Sequence, residues 1–179
     1  MSGEQYSRPA MALHWLHAGL VLALLVIGWT MVDLPKGPLR TAPYALHKSL
    51  GLCALALFFI RLAWRRHAPP PMPAAQLKPW EQRLADTVHR AFYGLLLLVP
   101  LAGYLSASFT KYPMKFFGLV LPSTGWPDET LNLLFNTLHK GAAWALIGLI
   151  FLHLAGTLQH ALRRDGILSR MLPRHKPVH

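Results

Sequence analysis

Ten histidines are the residues of this chain with the most chemistry in them, and their placement is uneven. His14, His17, His47, His139 and His153 fall within or at the edge of long apolar runs, whereas His89 and His160 stand at the boundaries of such runs. His67, His175 and His179 lie in a linker or a tail, where a solvated basic segment explains them. An ionisable side chain inside a membrane span is costly and marks function. His139 and His153 are fourteen residues apart. That is two heptads, and with a drift of about 20° per heptad both rings leave one helix face. At a rise of about 1.5 Å per residue they stand roughly 21 Å apart along the axis.

Pairing by depth puts His47 with His139 near the outer leaflet and His153 with a histidine of the first apolar run. Depth counting slightly favours His17 over His14 for that partner, but tilt can move the match by a turn and both stay open. No Asp, Glu or second cysteine falls within a span. Zinc would need three or four protein ligands at each level. Haem needs two axial imidazoles, because the porphyrin supplies four nitrogens. The single cysteine, Cys53, excludes an intrachain disulfide, a zinc ribbon and a CxxCH attachment, so any haem here is b-type and held non-covalently. A pair of interhelical hydrogen bonds is the competing reading, and two pairs at matched depths are hard to obtain from packing alone. Gly141, Gly148 and Gly156 are expected to let a flat macrocycle approach helix 4, against the ordinary use of small residues in membrane helix packing.

The elements that must position these rings are four apolar spans, expected at about residues 10–32, 44–64, 88–109 and 131–161. The chain of 179 residues is 53% hydrophobic and 14% charged, less charge than a soluble domain carries. Its apolar runs have the length that crosses a hydrocarbon core. The first is too long for a signal h-region and no small-residue cleavage site follows it, so it is expected to act as its own insertion signal. Residues 33–38 break the first span, and a proline-rich linker from His67 to Pro73 separates the second and third. Pro79 opens a surface amphipathic lead-in to the third span, Pro100 is a candidate kink, and Asp128 is placed to cap the fourth. The stretch 111–122 reads as a loop. The fold class is all-α: one membrane-embedded domain over 1–179, a four-helix transmembrane bundle with two haem b stacked between helices.

The net charge of +11 does not indicate nucleic acid, because the basic residues flank apolar runs. Twelve Lys and Arg share the side of both termini and six the other, which makes the richer side cytoplasmic. Acidic residues leave +8 inside and +3 outside, so the outer mouth is mildly positive. Such a mouth would attract a small anion.

Several short matches occur in order along nearly the whole chain: Tyr6-Ser7-Arg8, Leu13-His14-Trp15-Leu16, His47, His89 with Tyr93, Phe117-Gly118-Leu119 with Pro122, then His139, His153 and His160, and Met171-Leu172-Pro173-Arg174. In this combination the chain resembles the bacterial cytochrome b561 family of dihaem inner-membrane proteins. The resemblance implies His14 with His153 for the inner haem and His47 with His139 for the outer one, leaving His17 without a ligand role. It also implies superoxide as donor outside and ubiquinone as acceptor. Two histidines per iron close the coordination sphere, so electrons would pass through the porphyrin edge. Lys48, Lys140 and Arg8 are candidates for haem propionate contacts, with Arg61, Arg65 and Arg163 as further inner candidates, and His160 and His89 for a quinone site. Membrane lipid, a homodimer or a redox partner protein are the expected associations. Two other readings compete: a cytochrome subunit passing electrons between a soluble partner and quinone, and a histidine-based transporter, which the lack of acidic residues in the spans disfavours.

Overall fold

Four helices are long and apolar enough to cross a membrane, and each begins where a local signal tells it to. The computed structural model describes residues 5–35, 37–69, 71–72, 77–122 and 124–172. Glu4, Lys36, Pro70, Pro73, Pro173, Arg174, His175, Lys176 and His179 lie outside the described residues. Helix α1, Arg8–Val32, is capped by Ser7, whose hydroxyl accepts from the Ala10 amide at 3.4 Å. Helix α2, Pro38–His67, starts six residues before the expected position 44. Pro38 fits its first turn, and Pro43 forfeits one amide bond without ending the helix. The Arg40 guanidinium, donating to the Tyr44 hydroxyl at 2.8 Å, bridges that turn.

Helix α3, Pro79–Ser108, carries its lead-in and its span as one rod, and Pro100 stays inside it. The Glu81 carboxylate accepts from the Lys78 amide at 3.0 Å and closes its first turn. Helix α4, Glu129–Arg163, has the expected Asp128 cap, with the Leu131 amide donating to it at 2.9 Å. It ends at Arg164, whose φ of 54° turns the chain back.

The stretch expected as a loop contains a small antiparallel hairpin, β1 (Lys115–Phe116) and β2 (Leu119–Val120), with Phe116 opposite Leu119. Phe117 and Gly118 both have positive φ, 46° and 91°, which a two-residue hairpin turn demands. The hairpin is pinned to α2 through Ser49: the Phe117 amide donates to its hydroxyl at 2.9 Å. At the other end a short 3₁₀ helix, Leu168–Met171, folds back on the N-terminus. The Trp15 indole donates to the Met171 carbonyl at 3.0 Å and the Gln5 amide to the Ser169 carbonyl at 2.9 Å.

Packing runs α1 on α2, α2 on α3 and α3 on α4. Helix α4 lays its backbone chiefly against α3, and touches α1 through the Trp29–Trp144 ring contact. The buried apolar set is accordingly thin, with Ala54, Leu57, Phe58, Ala102, Ala142 and Leu146 at its centre, while Leu22, Val26, Leu134 and Phe151 are exposed. Exposed apolar side chains around a bundle are what a lipid solvent accepts.

Candidate functional site

All four helices contribute to the outer pair. His47 of α2 and His139 of α4 face each other with ring centres 6.1 Å apart and planes at 90°. With metal–nitrogen bonds of about 2 Å, and ring centres about 1 Å behind each nitrogen, two axial imidazoles on one metal stand about 6 Å apart. His139 Nδ1 lies 2.8 Å from the Val99 carbonyl of α3. A carbonyl accepts only, so Nδ1 carries the proton and Nε2 keeps its lone pair for a metal. The approach needs Gly103, one turn beyond Val99: a Cβ there would stand 2.9 Å from His139 Nδ1. On the opposite wall α1 repeats the arrangement. A Cβ on Gly28 would stand 3.1 Å from His47 Cε1, and the Leu24 backbone, one turn earlier, is within electrostatic reach of the same ring. His47 Nδ1 is buried without a hydrogen-bond partner.

At the inner level Arg61 of α2 forks between two rings of α1, with His17 Nδ1 at 3.3 Å and His14 Nδ1 at 3.4 Å. A guanidinium only donates, so both Nδ1 atoms accept here and the ring protons sit on Nε2; for His14 to hold a metal through Nε2, that proton must pass to Nδ1 and the Arg61 contact must open. His17 is 1% exposed, and its Nε2 is buried with no partner. It lines a cavity of about 70 Å³ together with His47, His139, Val99 and Leu146, and thus belongs to the outer pair's surroundings. His14 instead interacts electrostatically with His153 and His89. The His153 ring lies 6.1 Å from His89 and 5.5 Å from Phe92, both on α3. Three histidines and one arginine therefore converge at the inner level.

The remaining candidates are more dispersed. Lys48, beside His47, is half-buried, while Lys140 and Arg8 are exposed. Arg163 donates to Glu81 at 2.6 Å and ties α4 to α3, and Arg65 lies over the Tyr93 ring at 5.4 Å. His160 is paired with Asp165 at 2.6 Å beside a cavity of about 280 Å³ lined by Ala161, Arg164, Gly166, Leu168, Ser169 and Leu172. His89 does not line that cavity, so the two histidines expected at one quinone site stand at separate places. Gly141, Gly148 and Gly156 have nothing within 4 Å of a built Cβ, so the space beside α4 that a flat macrocycle would need is open, and Gly28 and Gly103 add close approaches of their own to the two rings. The spacing Leu24–Gly28 and Val99–Gly103, a carbonyl laid bare by a glycine one turn on, was the sequence signal for those approaches. Among the described residues no three or more His, Cys, Asp or Glu side chains gather for a metal ion held by protein alone.

Comparison with known proteins points to one group of membrane cytochromes. A family model described as prokaryotic cytochrome b561 matches residues 5–174. Cytochrome b561 homolog 2 of Escherichia coli K12 is 32% identical over 173 residues, covering 94% of this chain and 92% of the relative. Cytochrome b561 homolog 1 of the same organism is 26% identical over 97% of this chain and 99% of its own length. A Yersinia pestis protein named "Probable superoxide oxidase CybB" is 27% identical over 97% of this chain and 98% of its own.

Proposed function

Because the chain belongs to the prokaryotic cytochrome b561 family, whose members are haem-b membrane electron-transfer proteins, we propose that it carries two haem b and moves electrons from superoxide at the outer face to ubiquinone at the inner face. The observation that carries this reading is the His47–His139 pair, with ring centres 6.1 Å apart and one Nδ1 held on a helix carbonyl. Haem b, when bound, supplies one-electron transfer through its edge.

The chain's own residues do the rest. His47 and His139 would hold the outer iron, with Leu24/Gly28 and Val99/Gly103 orienting the rings from α1 and α3. His14 and His153 would hold the inner iron. His14 is favoured over His17 because the family resemblance assigns it, and because His17 lines the outer cavity. Lys48 and Lys140 flank the outer pair, and as propionate partners or as an anion-attracting rim they suit superoxide. Arg8 is the corresponding candidate at the inner end. The excess of basic residues on the side of the termini puts that side in the cytoplasm of a bacterial inner membrane. His160, at the end of α4 beside a cavity of about 280 Å³, is placed to meet a quinone head group.

A second reading has a specific support: the 32% identical relative is named as a cytochrome without a substrate. The chain would then pass electrons between a soluble protein and quinone. Purified protein given superoxide and a short-chain ubiquinone distinguishes them. Catalytic quinone reduction by the isolated chain is expected, and its absence in a preparation holding two haems per chain would overturn the superoxide reading in favour of the second. A preparation without pigment would overturn both.

A further inference from the structure

Beyond the last turn of α4 the chain does something its helix does not require. Arg164, a non-glycine residue, takes a left-handed φ of 54°, a conformation that L-residues adopt at a steric cost. The turn carries Asp165 back over His160, five residues earlier, to a separation of 2.6 Å. The carboxylate is itself held, since the Ile167 amide donates to its other oxygen at 3.1 Å. Both side chains are 18% exposed. A carboxylate facing Nδ1 keeps the proton there, so Nε2 is the nitrogen left to exchange a proton. The ring borders the cavity of about 280 Å³, near the lower end of small-molecule sites, roughly 300–1,000 Å³. Leu168 and Leu172 line the same cavity and give the site apolar walls. The nearby Arg163 charge is answered by Glu81 at 2.6 Å, and so does little to oppose a positive imidazole.

We infer that Asp165 is a positioning residue that holds His160 with Nε2 toward this cavity for proton delivery to a quinone oxygen. The inference rests on the quinone-reducing reading above and deepens it. Reduction of one quinone takes two electrons, supplied by the b-type haem of this family, and two protons. In each transfer an Nε2–H bond breaks as a quinone O–H bond forms. The ring is then neutral with its proton on Nδ1; water on the inner side returns a proton to Nε2, and the Asp165 carboxylate stabilises the imidazolium so re-formed for the next transfer. General acid groups of this kind contribute about 10²–10⁴-fold.

The test uses full-length, haem-loaded protein, reduced beforehand and mixed in a stopped-flow instrument with ubiquinone-1, with haem reoxidation followed optically. Asp165→Asn is expected to lower the limiting reoxidation rate at least tenfold with the half-saturating quinone concentration little changed. Asp165→Glu should recover most of the rate, and Asp165→Asn added to His160→Gln should slow the reaction no further than His160→Gln alone. Haem content and spectra should match wild type in all of them. Asp165→Asn reoxidised at the wild-type rate would overturn the inference while leaving the quinone reading standing. Haem loss in Asp165→Asn and Asp165→Glu alike would overturn it too, by showing a structural helix stop. Wild-type protein that keeps its haem yet is not reoxidised would overturn the quinone reading itself, and this inference with it.

Discussion

Adding one methyl group at Gly103 is the sharpest test of the outer site. The new Cβ would stand 2.9 Å from His139 Nδ1, 3.1 Å from Cε1 and 3.7 Å from Cγ. Ordinary carbon–nitrogen contact begins near 3.5 Å, so the ring must withdraw by about half an ångström. It is pinned in that direction by its 2.8 Å bond to the Val99 carbonyl, which lies one turn down the same face of α3. Withdrawal stretches or breaks this bond, a net loss of about 0.5–1.5 kcal/mol. Groups that orient a metal ligand in this way are worth about 10–100-fold in retention of the bound group. The helix itself gains roughly 0.5–1 kcal/mol when alanine replaces an interior glycine. Gly103→Ala should therefore leave the fold intact while haem falls from two per chain toward one, read by pyridine haemochrome against protein mass. In whatever outer haem remains, the midpoint potential should move. Two haems per chain and an unshifted outer potential in Gly103→Ala would refute the cradle and the ligand role of His139 that depends on it.

Three further outcomes are expected. His14→Ala and His153→Ala should each remove one haem and leave the other, while His89→Ala keeps both; inner haem lost from His89→Ala and kept in His14→Ala would move the inner pair to α3 and α4, where the 6.1 Å ring separation allows it. Ser49→Ala takes away the acceptor of the Phe117 amide, at about 1–3 kcal/mol if that group stays unsatisfied, so amide exchange at residues 115–120 should quicken and the thermal midpoint fall; unchanged exchange there refutes the pin. Reduction of the outer haem by superoxide should slow as ionic strength rises, and Lys48→Gln with Lys140→Gln should flatten that dependence, whereas a salt-independent rate would remove the positive mouth from the mechanism.

The helices and the facing of His47 and His139 were legible because they follow from periodicity and depth; at the inner level depth counting leans to His17, and His14 comes from the family resemblance alone. Periodicity and depth are each a property of one helix in a membrane, and α4 runs unbroken through both His139 and His153 as that argument needs. What was not legible depends on a second helix. Gly28 and Gly103 act on rings carried by α2 and α4, and nothing in their own segments says which ring will arrive. The glycines of α4 carry the same composition signal and meet no neighbour. Helix α2 starts six residues before the expected position, and Pro43 inside it removes a single amide bond near the helix start. The hairpin was hidden because its two strands are two residues each. Only the positive φ at Phe117 and the reach of Ser49 give it a fixed place.

The two levels of the bundle differ in a way that bears on direction. At the outer level each ring is backed by a helix wall with its glycine removed from the path, and a cavity of about 70 Å³ lies among apolar side chains and His17. A side chain at Gly28 or Gly103 would press on these rings, so the two helix walls hold the imidazoles by shape. At the inner level Arg61 stands between His14 and His17, and among the described residues no carboxylate forms an ion pair with it. A fixed positive charge near a redox centre favours the state with one more electron, and in a medium of low dielectric that preference is large. Arg61 touches His14 but not His47 or His139, so it favours the reduced state of the inner centre more than that of the outer one. Electrons entering from the positive outer mouth would then run downhill toward the end of α4, where His160 and Asp165 sit beside their cavity.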